Sequence, residues 1–142
     1  GAERYVFIEY FIIDQGHWWT AILRELERKA AEGVDVRVIY DDMGSINVLP
    51  PNYAKTLEQK GIRAIAFNKV RMHINPRMNF RDHRKIFCID GNVCYTGGLN
   101  LADEYANDLI RFGYWKDNKD PRGCRLESHV HVPCHVEGPY RR

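Results

Sequence analysis

RDHRKIFCIDGNVCYTGGLN, residues 81–100, places a histidine at 83, a lysine at 85, an aspartate at 90, a Gly-Gly pair at 97–98 and an asparagine at 100. Arg84–Ile89 and Val93–Thr96 read as two strands around Asp90-Gly91-Asn92, a hairpin signal. Side chains alternate across a strand, so His83 and Lys85 fall on one face and Asp90 on the other. An imidazole and an ammonium side by side suit a phosphate. Lys85 neutralises nonbridging oxygens, and His83 can attack phosphorus or carry a proton. Gly97 and Gly98 let backbone N–H groups approach an anion closely. Asn100 adds a neutral amide donor. Asp90 joins this set, though it is better placed to brace the hairpin than to touch a substrate.

Upstream, residues 4–13 read as one apolar strand buried on both faces. Asp14 is placed to cap the next segment. From Gly16 to Glu32, apolar residues recur at helical spacing (Trp18, Ile22, Leu23, Leu26, Ala30), and Gly33 stops the helix. Val34–Tyr40 is a second strand ending at Asp41-Asp42. After Pro50-Pro51, Asn52–Lys60 forms a short helix closed by Gly61, and Ile62–Phe67 a third strand. Strand, helix, strand, helix, strand implies parallel pairing with right-handed crossovers. With the hairpin added, the expected fold is α/β: a mixed, mostly parallel sheet flanked by helices.

Residues 69–85 carry Lys69, Arg71, Arg77, Arg81, Arg84 and Lys85 against one acid, Asp82. The run leads straight into the histidine, so it reads as an anion-binding rim, with Arg81 a substrate-binding candidate. Leu101–Tyr105 reads as a helical turn. Residues 118–142 read as a weakly structured tail, and the length of 142 residues fits one domain.

Composition sets bounds. Apolar residues are 44% of the chain, enough for a core and against a disordered tail; a net charge of +2 is too small to argue by itself for nucleic acid or an anionic membrane. The four cysteines (88, 94, 124, 134) form no C-x-x-C pair and read as buried thiols of a reducing compartment. The most apolar run, Tyr5–Ile13, is too short for a membrane span and contains Glu9. Glu9 reads as a strand-edge residue or the partner of a local ion pair. Trp18, Trp19 and Trp115 read as packing residues. The chain opens at Gly1-Ala2 without an initiating Met and shows no signal peptide.

His83-Arg-Lys85-Ile-Phe-Cys-Ile-Asp90, followed by Gly97-Gly98-Leu-Asn100, resembles the H-x-K-x4-D…G-[GS]-x-N signature of the phospholipase D superfamily. Further blocks resemble bacterial cardiolipin synthases: Ile8-Glu-Tyr-Phe-Ile12, Lys29–Arg37, Tyr40–Ser45, Asn79–Lys85, Thr96–Tyr105 and Phe112–Asp117. The resemblance implies a phospholipase D-like sandwich and a ping-pong transfer. A motif histidine attacks a phosphodiester to give a phosphohistidine, which an alcohol or water then displaces. In a cardiolipin synthase the phosphatidyl group of one phosphatidylglycerol passes to the glycerol hydroxyl of another, with no metal or other cofactor. It further implies an acid that orients the attacking histidine: Asp117 sits where the synthases have it, Glu104 is the fallback and Glu127 a weaker third. The implied setting is the cytoplasmic face of a bacterial membrane, with this piece itself soluble.

One copy of the motif is half a site. A dialkyl phosphodiester expels an alkoxide whose conjugate acid has a pKa of about 15, like water itself. Such a group leaves only if protonated as it departs. One imidazole cannot be a neutral nucleophile and a charged acid at once. His17, His73, His129, His131 and His135 are followed two places on by Trp19, Asn75, His131, Pro133 and Glu137, never by lysine. The family places both motifs on one chain, so a fragment lacking its second half is expected, with a homodimer as the other way to complete the site. Two rivals remain. The first is a single-motif homodimeric phosphodiesterase or nuclease, which the basic run also suits. The second is of another class: a zinc-binding domain using Cys124, His129, His131, Cys134 and His135, whose spacing matches no common finger, or an interaction domain whose motif is intact but whose catalysis is lost or borrowed.

Overall fold

A computed structural model describes residues 1–70 and 80–106. Within them the order is β1 (Tyr5–Tyr10), α1 (His17–Ala31), β2 (Asp35–Asp41), α2 (Asp42–Ser45), α3 (Tyr53–Gln59), β3 (Arg63–Phe67), β4 (Ile86–Ile89) and β5 (Val93–Thr96). They build a five-stranded sheet in the order β3-β2-β1-β4-β5. β1, β2 and β3 are parallel, whereas β4 runs antiparallel to β1, and β5 antiparallel to β4. The sheet is thus mixed around a parallel core, and β1 is the strand at which direction switches.

Both long helices lie on one face. Val6, Ile8, Val36, Val38, Tyr40, Ala64 and Ala66 point to that face, where they pack with Trp19 and Leu26 of α1 and Tyr53 and Leu57 of α3. Trp19 buries its indole without stranding a donor, because Nε1–H donates to the Tyr53 hydroxyl at 2.7 Å. Truncating a fully buried core residue such as Leu57 costs about 2–5 kcal/mol. The other face is half-covered among the described residues: Tyr5 and Phe7 stack at 4.5 Å, and the Arg37 guanidinium lies 4.9 Å from the Phe7 ring centre. The alternation of β1 is therefore that of a strand with one core face, not of one buried equally on both.

The ends of the elements correct several expectations. β1 stops at Tyr10 rather than running to residue 13, and Ile13 keeps only an isolated bridge to Leu101. The cause is its neighbour: β2 ends at Asp41 and turns into α2, so side chains take over the ladder's role for the N–H groups of Ile12 and Ile13. Likewise β4 begins at Ile86, not Arg84, because Glu9↔Ile86 is the last pair that β1 offers it. Asp14 does not cap α1. Gly16 is the N-cap, and the cap comes from far along the chain: the Asp103 carboxylate accepts the N–H groups of His17 and Trp18, each at 2.8 Å. A Cβ on Gly16 would fall 2.3 Å from Asp103 Oδ2, so only glycine admits that carboxylate. Gly33 closes α1 with φ of +90°.

The hairpin turn between β4 and β5 uses Asp90 and Gly91, both at positive φ, and Asp90 ties it to the start of β1. The Asp90 carboxylate accepts the N–H groups of Glu3, Arg4 and Tyr5 at 2.9, 2.8 and 2.8 Å, and Asp90 N–H donates to Tyr5 O at 3.0 Å. Those backbone donors, that of Tyr5 first, hold the carboxyl below its usual range. Asp90 lies at the opposite end of β4 from His83 and is fully occupied as a brace.

Candidate active site

His83 and Lys85 precede β4 at the edge where β1, β2 and β3 end. In open α/β sheets this carboxyl edge, beside a change of strand direction, is where ligands sit. Neither residue is in the strand, so the pleat does not set where their side chains point. The His83 imidazole stacks on the Phe11 ring at 3.9 Å with 18° between planes, and Lys85 Nζ lies 5.7 Å from the centre of the same ring. Lys85 Nζ also donates to the His83 carbonyl oxygen at 2.6 Å, which leaves two of its three protons for an anion. Burial lowers the Lys85 pKa, opposed by the charge of Asp82.

The chain on either side is tied down by carboxylates. Asp41, whose side chain is 0% exposed, caps α2 through the N–H groups of Met43 and Gly44 at 2.9 and 3.1 Å. The same carboxylate accepts from Arg81 Nη1 and from Asp82 N–H, both at 3.3 Å. Arg81 also donates to Asn68 O at 3.2 Å. Arg84 lies between two acids, 2.7 Å from Glu9 and 2.7 Å from Asp82. Burial, and then the neighbouring Asp82, pushes the Glu9 carboxyl up to about 7. Burial alone would raise Asp82 as well, but hydrogen bonds from Arg84 and Glu9 hold it far below the usual carboxylate range. The expected anion-binding rim is therefore substantially self-neutralised at Arg81 and Arg84. Arg71 and Arg77 lie outside the described residues.

A cleft of about 570 Å³ opens here, lined by Phe67, Phe80, Arg81, Asp82, His83 and Arg84. Gly97 and Gly98 follow β5 directly and are exposed at the same sheet edge, since Thr96 pairs with Ile86. Asn100 is buried, its carbonyl accepting Ile12 N–H at 3.1 Å and its amide donating to the Tyr105 hydroxyl at 3.2 Å. Glu104 lies in the turn that carries Asp103. Asp117, Glu127 and the His/Cys-rich tail lie outside the described residues. Among the described residues, no group of three or more His, Cys, Asp or Glu is placed to hold a metal ion. Among them, too, no helix is long and apolar enough to cross a membrane.

Sequence reasoning missed Phe11 and Asp103, and it reads Asp41 with Asp42 only as acids at a strand end, open to a metal role but without partner ligands. Phe11 carried no signal of its own inside an apolar run. Asp41, an acid at the end of a buried strand, does carry one, and its partner Arg81 stands in the basic run.

Residues 1–108 match the family described as "Cardiolipin synthase, PLD-like domain". A Streptococcus mutans protein described as uncharacterized is 52% identical over 116 residues, covering 82% of this chain and 25% of its own length. Cardiolipin synthase 2 of Staphylococcus epidermidis is 44% identical over 117 residues, covering 82% of this chain and 24% of the synthase. The cardiolipin synthase of Oceanobacillus iheyensis is 40% identical over 116 residues, again with 82% and 24% covered. The chain thus spans about a quarter of the length of these relatives. Among solved structures, NucT from Helicobacter pylori superposes with a TM-score of 0.53 at 18% identity, covering 72% of this chain and 62% of NucT. That likeness is one of fold.

Proposed function

The chain belongs to the cardiolipin synthase, phospholipase D-like domain family, and from that premise we propose that it supplies one half of a phosphatidyltransferase site that makes cardiolipin and glycerol from two molecules of phosphatidylglycerol. The observation that carries this reading is that His83, which lines an open cleft, and Lys85 both lie against the Phe11 ring.

In the first step a neutral His83 attacks phosphorus of one phosphatidylglycerol, and Lys85 offsets the charge on the nonbridging oxygens. A P–N bond forms as the P–O bond to the headgroup glycerol breaks. That glycerol departs as the alcohol, taking a proton from the imidazolium of a second H-x-K motif. In the second step the hydroxyl of another phosphatidylglycerol attacks phosphorus, the P–N bond breaks, and the second imidazole takes up the hydroxyl proton. His83 ends as it began. Arg81 holds the segment that enters the cleft, and Gly97 and Gly98 offer backbone N–H groups. The second motif comes from a companion half or another copy of the chain, because only His83 here is followed two residues on by lysine. Asp117 is the proposed acid that orients His83. The cytoplasmic face of a phosphatidylglycerol-containing bilayer is the proposed place of action.

Incubation with phosphatidylglycerol vesicles, and separately with labelled single-stranded DNA, tests the substrate. Cardiolipin and glycerol in equal amounts are expected from the vesicles where a second H-x-K motif completes the site, with a rate that rises more steeply than protein concentration if two chains pair. Little activity is expected from an unpaired chain. Cleavage of DNA with untouched vesicles would replace this reading with a homodimeric nuclease.

A further inference from the structure

We propose that Phe11 is the positioning residue of this site, a seat that presents the His83 imidazole and the Lys85 ammonium together, and that Gly44, Ser45 and Asn100 serve to fix the backbone that carries it. The inference rests on the reading of His83 and Lys85 as the phosphate-handling pair.

Residues 81–85 lie outside the sheet ladder, so the pleat does not dictate where their side chains point. The Phe11 ring does. It covers one face of the imidazole, with the planes 18° apart. The lone pair of an imidazole nitrogen lies in the ring plane, so a stacked face leaves the nucleophilic edge open while stopping the ring from turning. Lys85 Nζ lies 5.7 Å from the centre of the same ring, close enough for cation–π attraction, and donates to the His83 carbonyl oxygen, so the ammonium too is held near Phe11.

A seat works only if it does not move, and the backbone at Phe11 is held from three directions. A Cβ on Gly44 would come within 2.3 Å of the Phe11 carbonyl oxygen, so a glycine at 44 lets α2 close against that strand end. The Ser45 hydroxyl donates to Phe11 O at 3.5 Å and accepts from Ile13 N–H at 3.2 Å. Asn100 Oδ1 accepts the N–H of Ile12, the next residue, at 3.1 Å. Asn100 therefore acts here through the backbone next to Phe11, in place of the direct anion contact expected of it. The segment Tyr40–Ser45 and the Gly-Gly-Leu-Asn segment, far apart in the chain, meet at one peptide unit, that between Phe11 and Ile12.

The test uses the 142-residue chain as wild type, Phe11→Tyr and Phe11→Leu. Two quantities are read on the same samples: the proton chemical shifts of the His83 imidazole, and steady-state kinetics on a soluble short-chain phosphatidylglycerol. Wild type and Phe11→Tyr are expected to share upfield, ring-current-shifted His83 signals and a common kcat. Phe11→Leu should lose the upfield shift and show kcat roughly tenfold lower, with KM and melting temperature little changed. If Phe11→Leu does not fold, Phe11→Met, which keeps volume without a ring, carries the comparison. Unchanged His83 signals and kcat without the ring, or failure of tyrosine to restore both, would overturn the proposal. Ring-current shifts that follow the ring, with no cleavage by any variant even where two chains are shown to pair, would uphold the seat and count against the proposed function alone.

Discussion

The guanidinium of Arg84 sits 2.7 Å from the carboxylate of Glu9 and, through the same nitrogen, 2.7 Å from that of Asp82. Burial makes Glu9 costly to ionise, and one cation shared between two acids leaves it poorly compensated against Asp82. That is why Glu9 is pushed up to about 7 while Asp82 is held low.

The sign of the pH dependence follows. A carboxyl raised on folding keeps a proton that the unfolded chain has released. Glu9 therefore makes stability fall as pH rises from its ordinary 4.5 towards 7, with the full loss present above that value. Asp82 acts in the opposite sense: its contribution is present above 3.8 and is lost as pH falls below it. Glu9→Gln should remove the first slope and keep the second. Urea midpoints of both proteins from pH 4.5 to 8 check this. The variant should gain on wild type as pH rises, and a gap that stays constant across the window would refute it.

Asp41 is the anchor of the segment that enters the site. Asp41→Ala removes the α2 cap and leaves the mostly buried Arg81 guanidinium without its carboxylate. A loss of about 3 kcal/mol is expected from chemical denaturation. Asp41→Asn, which can still cap, should lose less. Equal losses would mean that the ion pair contributes nothing beyond the cap.

Asp103→Ala should cost about 1 kcal/mol as α1 loses its cap. Gly16→Ser in that background should recover much of the loss, since a local hydroxyl can then accept the same N–H groups. In the wild-type background the same Gly16→Ser change should destabilise, because its Cβ would meet the Asp103 carboxylate. The reversal of sign between backgrounds is the readout in a thermal melt.

Much of this arrangement was legible from residues alone. The apolar period changes from strand to helix and back, and Gly33 and Gly61 fall where helices close, so the parallel core followed from local pattern. The spacing of His83, Lys85 and the Gly-Gly pair brought the site to one sheet edge. What the pattern could not give is what depends on distant partners. Asp14 is a sound local cap, yet Asp103 takes the position because Gly16 leaves room for it. A strand to residue 13 is reasonable by hydropathy, but it ends where β2 stops offering a ladder. Alternation puts His83 and Lys85 on one side; in the fold both lie outside the strand, and each approaches the ring of Phe11, an apolar residue that looks like any other in its run.

The most direct measurement is to quench a reaction of the protein with phosphatidylglycerol under mildly alkaline conditions, which spare a phosphoramidate bond, and to map the modified peptide by mass spectrometry. The account predicts a phosphatidyl group on His83, absent from His83→Ala, and formed only where a second H-x-K motif is present. Turnover that persists in His83→Ala, or a covalent adduct on any other residue, would contradict it.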